Sequence, residues 1–350
     1  MTIVFAVLLF SILIFVHELG HFIAAKASGI QVNEFSIFMG PAIYKKQIGQ
    51  TLYSIRCIPI GGYCAMEGED TDTENPRSFQ KAAWWKRMIT LLAGSFMNFV
   101  AGILIMVIVF LPAKSFVVPT VAEVETGSPL FGEGKLQQGD TFLEIDGEKI
   151  YVQSDFNTIL SLNPGDVHDL VIERNGEKLY FEDFKMEKIL FEGEEKPRYG
   201  FSFGREEATF GSKLEYAWKN VLNSGRIVRL SLQMLFTGKA NVADVAGPVG
   251  IIEQMSDLAQ QSPTWVDALL NMLFFGGFIA INLGIMNLMP IPALDGGRVL
   301  ALLISTVYIK LTGKRINPKY EAYIHGAGMV LLLILMAVIM FKDIFTIFKG

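Results

Sequence analysis

The chain has 350 residues, of which 51% are hydrophobic and 19% charged, and its mean hydropathy is +0.39. This composition is typical of an integral membrane protein and richer in apolar side chains than a soluble domain. The formal net charge of −5 lacks the basic character that nucleic-acid binding requires. Two cysteines, Cys57 and Cys64, give no disulfide framework and no second pair for a metal. We therefore expect a lipid bilayer as one partner and no nucleic acid.

The first predicted element is an apolar helix over residues 3–25, long enough to cross a bilayer. Residues 17–21 of this run read His-Glu-Leu-Gly-His. On a helix His17 and His21 lie one turn apart on the same face, so both imidazoles can reach one Zn²⁺ while Glu18 points at the open coordination position. Because ionisable groups at membrane depth are costly, they indicate function. The spacing predicts zinc inside the membrane.

Two other interpretations of this segment fit less well. A secretory signal peptide would have Lys or Arg ahead of the apolar run and a small-residue cleavage site behind it, and the sequence has neither. The five-residue pattern also occurs by chance in soluble helices. Its position inside a predicted membrane span argues against chance.

The next predicted element is a β-hairpin or small sheet between about residues 44 and 66. Apolar and polar side chains alternate there, with an interruption at Gly49 and a closing turn at Gly61 and Gly62. An exposed strand edge can hold a peptide in an extended conformation. Gly61 and Gly62 are therefore candidate substrate-binding residues, and a plain loop that caps the helices is the alternative.

Three further apolar runs, 88–111, 268–289 and 327–340, predict three more membrane helices. The fold class is then a polytopic α-helical membrane protein with four transmembrane helices, a β-hairpin region and an inserted β-rich domain. Lys and Arg are concentrated before the second and the fourth spans, so the positive-inside rule places both segments in the cytoplasm. The His-Glu-Leu-Gly-His end of the first span then also faces the cytoplasm.

The insertion over residues 113–188 predicts a small β-rich domain outside the membrane. Asp-Gly and Asn-Gly turns separate short strands, and residues 154–162 predict one helix. The series Gly-Ser-Pro, Gln-Gly-Asp and Ile-Asp-Gly resembles a bacterial PDZ domain, a fold that binds peptides by strand addition. We expect His168 at its surface, without a metal role. Residues 211–239 predict a basic amphipathic helix that suits a bilayer surface.

Zinc needs a third protein ligand, and the best candidate follows the third span. The metzincin extension is absent, because Ala24 and Ala27 occupy its positions. The third span ends in Asn-Leu-Met-Pro-Ile-Pro-Ala-Leu-Asp-Gly-Gly, and its aspartate, Asp295, reaches the same side of the membrane as His21. A carboxylate completes a catalytic centre of two histidines and one acid that leaves one position for water. A simple turn is the alternative.

Together these motifs resemble the site-2 proteases, bacterial intramembrane zinc proteases, over nearly the whole chain. The resemblance implies that His17, His21 and Asp295 bind zinc and that Glu18 is the general base. It also implies roles for further polar positions near the substrate, namely Asn98, which with Gly94 matches the family's Gly-x-x-x-Asn element, and Asn282 and Asn287. Ordinary helix packing is the alternative for the Gly-x-x-x-Asn element.

The resemblance further implies the substrates and the location of the protein. Substrates would be single-span membrane proteins of the anti-sigma-factor or signal-peptide-remnant type, trimmed beforehand by another protease. The protein would lie in the inner or plasma membrane, with the active site toward the cytoplasm and the PDZ-like domain outside. A metal transporter would instead need polar positions along several spans, and an inactive PDZ scaffold would not need Glu18.

The predicted organisation has eight segments. They are transmembrane helix 1 with the histidine motif (1–28), a cytoplasmic-side hairpin region (29–87), transmembrane helix 2 (88–112), the PDZ-like domain (113–188), an extracytoplasmic connector with the amphipathic helix (189–265), transmembrane helix 3 with the Leu-Asp-Gly-Gly motif (266–297), a cytoplasmic connection (298–325) and transmembrane helix 4 (326–350).

Overall fold

The computed structural model describes residues 2–69, 71, 73–191, 196–238, 247–314 and 318–349. They divide into two compact units. We call Met1–Ile105 with Ser224–Gly350 the membrane unit, and Met106–Asn223 the insert unit. In chain order the elements are α1 (Thr2–Ser28), β1 (Val32–Ile48), β2 (Thr51–Met66), α2 (Trp84–Phe110), β3 (Ser115–Val124), β4 (Thr141–Ile145), β5 (Glu148–Lys149), α3 (Ser154–Leu162), β6 (Val167–Arg174), β7 (Glu177–Lys185), β8 (Phe201–Glu207), α4 (Phe210–Phe236), α5 (Pro248–Gln260), α6 (Trp265–Asn287), α7 (Asp295–Thr312) and α8 (Pro318–Lys349).

Four of the described helices are long and apolar enough to cross a membrane: α1, α2, α6 and the Ala322–Phe345 part of α8. Their exposed side chains are largely apolar, as expected for surfaces that face lipid. The protein is therefore a multi-pass membrane protein. The predicted spans agree in number, although α2 begins four residues earlier, at Trp84, and α8 begins at Pro318.

The predicted connection 298–325 is mostly helical. It contains most of α7 (Asp295–Thr312), whose C-cap is Gly313, a glycine with φ of 71° whose N–H donates to the Ile309 carbonyl. Glycine adopts this left-handed conformation without a steric penalty and so ends helices readily. An acid at the first position and Lys310 in the last turn also suit the helix dipole.

β1 and β2 form an antiparallel sheet in which the first part of β1 lies between the two halves of β2. Phe35 pairs with both Cys64 and Tyr53. The sheet begins at Val32, earlier than predicted. Its regular strand pairing rules out the alternative of a plain loop. Its last segment is attached to α1, because Ser11 Oγ donates to the Pro59 carbonyl over 2.7 Å.

Small residues allow the membrane helices to approach closely. A Cβ atom at Gly20 of α1 would lie 2.3 Å from the Ala93 carbonyl oxygen of α2. Gly102 of α2 allows α6 to approach in the same way, because a Cβ atom there would lie 2.6 Å from Ile281 Cγ1. Close approach of this kind is the usual basis of helix association in lipid. It brings the end of α1 against the beginning of α2.

The Gly-Pro-Val-Gly segment at residues 247–250 opens α5. Gly247 leaves room for α8, since a Cβ there would lie 2.6 Å from both Ile339 and Asp343. The Gly250 N–H donates to Asp343 Oδ2 over 3.0 Å. A carboxylate at a helix N-terminus satisfies a backbone donor and the helix dipole together, so Asp343 fixes the start of α5.

The insert unit is an antiparallel sheet with the strand order β7-β6-β4-β3-β8, and β5 pairs with β4. Its core contains Phe142 and Phe156, which contact Phe201 of β8. The sheet thus extends past residue 188, where we had placed the end of the domain. Helix α3 covers the predicted residues 154–162.

His168 corrects one prediction about the insert unit. We expected a surface residue, but it is 3% exposed. Its Nδ1 lies 2.8 Å from Asp146 Oδ2 and its Nε2 lies 3.0 Å from the Gly165 carbonyl oxygen. Both ring nitrogens face acceptors, and these contacts compensate for burial of the imidazole.

Candidate metal centre

Three ligand-type atoms converge where α1 meets the start of α7. His17 Nε2 and His21 Nε2 lie 3.2 Å apart, and they lie 3.1 and 3.2 Å from Asp295 Oδ2. Both histidines are buried, and the Asp295 side chain is 18% exposed. Of the described residues, only these three form such a cluster of potential metal ligands.

The cluster fits a zinc ion. Nitrogen and oxygen ligands at 2.0–2.1 Å in a tetrahedron are separated by about 3.3 Å, close to the three spacings observed here. Within the described residues, Asp295 Oδ2 is buried and accepts no hydrogen bond, as expected of an atom that needs a cation. Gly94 keeps this space open, because a Cβ there would lie 2.4 Å from His21 Nε2.

The backbone conformation between α6 and α7 places Asp295 beside the two histidines. Proline lacks an N–H and breaks helices, and α6 ends before Pro290 and Pro292. Ala293 then adopts a φ of 81°, which is strained for a residue with a Cβ. Gly297 allows the turn to close, because a Cβ there would lie 2.3 Å from the Ile291 carbonyl oxygen. Asp295 consequently reaches both histidines.

The second nitrogen of each histidine also has a partner. His21 Nδ1 lies 2.8 Å from the Thr90 carbonyl oxygen. His17 Nδ1 lies 3.2 Å from Asn98 Nδ2 and 3.4 Å from Asn287 Nδ2. Such outer contacts orient metal-binding imidazoles. Two of the three predicted asparagines are therefore beside a histidine.

Asn282, the third, is not brought to the histidines. It precedes Asn287 by five residues on α6, a rotation of about 140° around the helix. Within the described residues the amides that meet His17 are those of Asn98 and Asn287. The prediction for Asn282 was a position near the substrate, and it stays a prediction.

Glu18 lies between the histidines and the β-sheet. Its carboxyl group lies close to the Cys64 backbone. Gly62 allows this close packing, because a Cβ there would lie 2.8 Å from the Ser36 carbonyl oxygen and 3.9 Å from Glu18 Cγ. Gly61 precedes it with a φ of 74°. The segment that contains both predicted glycines thus passes beside Glu18.

The pKa shifts of two ionisable groups in the sheet, Cys64 and Glu34, indicate that both are structural and not metal ligands. Burial and the nearby charge of Glu18 raise the pKa of the Cys64 thiol far above its usual range, which argues against a thiolate ligand. Burial opposes ionisation of Glu34, but hydrogen bonds from Arg56 and Ser54 prevail and lower its pKa. The Glu34–Arg56 ion pair, at 2.7 Å, therefore stabilises the sheet.

Sequence reasoning missed two contacts that support the Asp295 turn. The Ala293 N–H donates to His325 Nδ1 over 3.1 Å. Arg298, in the first turn of α7, forms an ion pair with Glu69. Neither contact has a local sequence signal, because the partners are 32 and 229 residues apart.

Comparison with known proteins gives consistent matches. The family model described as Peptidase family M50 matches residues 5–335. A protein of Clostridium acetobutylicum named as a zinc metalloprotease is 34% identical over 98% of this chain and 97% of its own. Zinc metalloprotease RasP of Shouchella clausii is 28% identical over 97% of this chain and 98% of its own. Regulator of sigma-W protease RasP of Bacillus subtilis is 26% identical over 99% of each chain.

Proposed function

The chain belongs to Peptidase family M50 and is a zinc metalloendopeptidase of the site-2 type, and we propose that it hydrolyses peptide bonds within the transmembrane segments of single-span proteins. One observation carries this proposal. The cluster of His17, His21 and Asp295 is formed by α1, a helix apolar enough to span a membrane, together with the turn after α6. A hydrolytic centre there meets a substrate at membrane depth.

The proposed chemistry assigns a role to each residue. His17, His21 and Asp295 would hold zinc, which when bound would supply a Lewis acid to polarise the scissile carbonyl and make water nucleophilic near neutral pH. Glu18 accepts the proton from the attacking water and then donates it to the leaving amine nitrogen.

The substrate is held as an extended strand. A helical substrate must unwind, because its own hydrogen bonds shield the scissile bond. The segment of β2 with Gly61 and Gly62 is an edge of its sheet in the described residues and lies beside Glu18. Addition of the substrate to this edge presents its carbonyl to the centre. Asn287, partly exposed at the end of α6, is placed to bind the substrate backbone.

The insert unit controls access and takes no part in the chemistry. We place the active site toward the cytoplasm and the PDZ-like insert unit outside the cell membrane, on the basis of the Lys and Arg distribution. Its edge strand β8 lies beside α3, with Phe156 5.7 Å from Phe201 and 5.2 Å from Phe203 between ring centroids. A peptide end can add to this edge, or the bulk of the unit can exclude substrates that retain large outer domains.

The physiological substrates are proposed to be pre-trimmed membrane proteins, either anti-sigma factors or remnants of signal peptides. The relative named regulator of sigma-W protease supports the first type. Both types leave a single apolar helix with little mass outside the membrane, which fits access limited by size.

The position of the cut tests this function. The purified chain, reconstituted with zinc in lipid vesicles, is given a tagged single-span substrate without its outer domain, and mass spectrometry identifies the new termini. We expect a cut inside the apolar segment. A matched substrate with a Leu-rich span that resists unwinding should be cut far more slowly. Cleavage only in the loops outside the span, or zinc flux without cleavage, would overturn the proposal.

A further inference from the structure

The Nδ1 atoms of His17 and His21 contact different kinds of group, and α2 provides a contact for each of them. Thr90, Gly94 and Asn98 follow at intervals of four residues and so share one face of that helix. The Thr90 carbonyl oxygen faces His21 Nδ1 at 2.8 Å, and Gly94 leaves the central space open. Asn98, one turn further, faces His17 Nδ1 at 3.2 Å. This face of α2 therefore has one contact for each imidazole.

A neutral imidazole can bind a metal through Nε2 only if its proton is on Nδ1. The Thr90 carbonyl oxygen can only accept, so it selects this tautomer for His21. Asn98 can either donate through Nδ2 or accept through Oδ1. Donation would leave the proton of His17 on Nε2, the atom that faces Asp295, and would block metal binding.

We propose that Asn98 is a positioning residue whose side-chain oxygen accepts a hydrogen bond from His17 Nδ1–H and so selects the zinc-binding tautomer. The proposal rests on the zinc site described above. Amide oxygen and nitrogen are assigned from the hydrogen-bond network, and rotation of the Asn98 amide exchanges them. As placed, Nδ2 faces His17, while Oδ1 is buried and has no partner among the described residues. Because Oδ1 has no partner where it is placed, rotation of the amide loses no hydrogen bond of that oxygen, and the requirement of His17 decides the orientation.

Asn98 suits this role better than Asn287, the other amide at His17. Asn98 is 1% exposed, lies on the same helix as the Thr90 contact and is closer to Nδ1, at 3.2 against 3.4 Å. Asn287 is partly exposed, at the end of α6. Assigning the histidine contact to Asn98 leaves the Asn287 amide for the substrate backbone.

Zinc affinity tests this assignment without reference to cleavage. Competition with a chromophoric chelator gives the dissociation constant of the full-length chain in detergent for wild type, Asn98→Leu and Asn98→Asp. Leucine has a similar size but cannot accept, so affinity should fall about 10- to 100-fold, the usual effect of losing an outer-shell partner. Aspartate accepts but cannot donate, so its affinity should equal or exceed that of wild type. Ser95→Ala, a buried position on α2, is the control for helix packing and should bind like wild type.

The outcomes are distinct. Wild-type affinity in Asn98→Leu would overturn the assignment. If Asn98→Leu does not fold, the zinc affinity of Asn98→Asp tests the assignment by itself. A tenfold or greater fall in the zinc affinity of Asn98→Asp would mean that Asn98 donates to His17. Failure of the wild-type chain to bind zinc would instead contradict the zinc site on which the inference rests.

Discussion

The membrane unit and the insert unit each contain buried histidine beside aspartate, but the two arrangements differ in what they leave unsatisfied. In the insert unit His168 uses one nitrogen on Asp146 and the other on the Gly165 carbonyl. In the membrane unit two Nε2 atoms turn toward one oxygen of Asp295, and that oxygen accepts no hydrogen bond in the described region. The first cluster is complete, whereas the second needs a cation.

This difference shows how a ligand histidine can be distinguished from a structural one. Both kinds are buried and both lie near a carboxylate, so burial and charge do not separate them. The hydrogen-bond partners do, because a metal ligand must present a lone pair to a space that other ligands share. Gly94 keeps such a space beside His17 and His21, whereas both ring nitrogens of His168 already face acceptors.

Paired aspartate substitutions give the largest expected contrast. Asp295→Ala removes one of three proposed ligands, so zinc affinity should fall by more than about 100-fold, more than for loss of an outer-shell partner, and cleavage should stop. Asp146→Ala, the matched change beside His168, should leave one zinc per chain. Metal analysis of the two purified variants measures the contrast. Equal zinc content would remove Asp295 from the ligand set.

Filling the open space should inactivate the enzyme without removing a ligand. In Gly94→Ala the new Cβ would lie 2.4 Å from His21 Nε2 and 2.7 Å from His17 Cε1, so an imidazole must move. We expect zinc affinity and cleavage to fall at least about tenfold, since a small misplacement of ligands is costly. Gly326→Ala in α8 is the control, because its Cβ meets no atom within 4 Å. Normal activity in Gly94→Ala would place the reactive centre elsewhere.

Removal of the insert sheet separates access from chemistry. Residues 115–207 can be replaced by a short Gly-Ser linker, because their flanks already meet: the Ala208 N–H donates to the Lys114 carbonyl over 2.9 Å. We expect this variant to bind zinc and to cut a pre-trimmed substrate at a rate within about threefold of wild type, since it keeps every proposed ligand and Glu18. If bulk excludes substrates, it should also begin to cut an untrimmed one. A folded, zinc-loaded variant that cuts neither would give the insert unit a part in catalysis.

The smallest expected effect concerns the sheet beside Glu18. Hydrogen bonds from Arg56 and Ser54 lower the pKa of Glu34 despite partial burial. A lowered folded-state pKa means that this stabilisation is present above the unfolded-state pKa of about 4.3 and is lost as the pH falls through the folded-state value. Thermal unfolding should therefore show an acid destabilisation that Glu34→Gln reduces. An identical pH dependence in that variant would show that the ion pair does not contribute.

Local patterns predicted the parts of the fold and site that depend on nearby residues. The apolar runs indicated four spans, and the spacing of His17 and His21 indicated a shared face, because helix periodicity relates positions four apart. Contacts between distant segments were not accessible. The Thr90 carbonyl and the His325 contact with Ala293 have no signature, since any backbone or ring atom can fill such a role. His168 was misplaced partly for the same reason, because one of its two partners, Asp146, lies 22 residues away.

The most direct test of the account is the paired measurement of zinc content and turnover in Glu18→Gln. Gln has nearly the same size but cannot carry a proton, and Glu18 is proposed as a proton carrier and not as a ligand. The account predicts one zinc per chain, as in wild type, with cleavage of a single-span substrate slowed at least about 100-fold, a usual contribution of general base catalysis. Cleavage at the wild-type rate by zinc-loaded Glu18→Gln would contradict it.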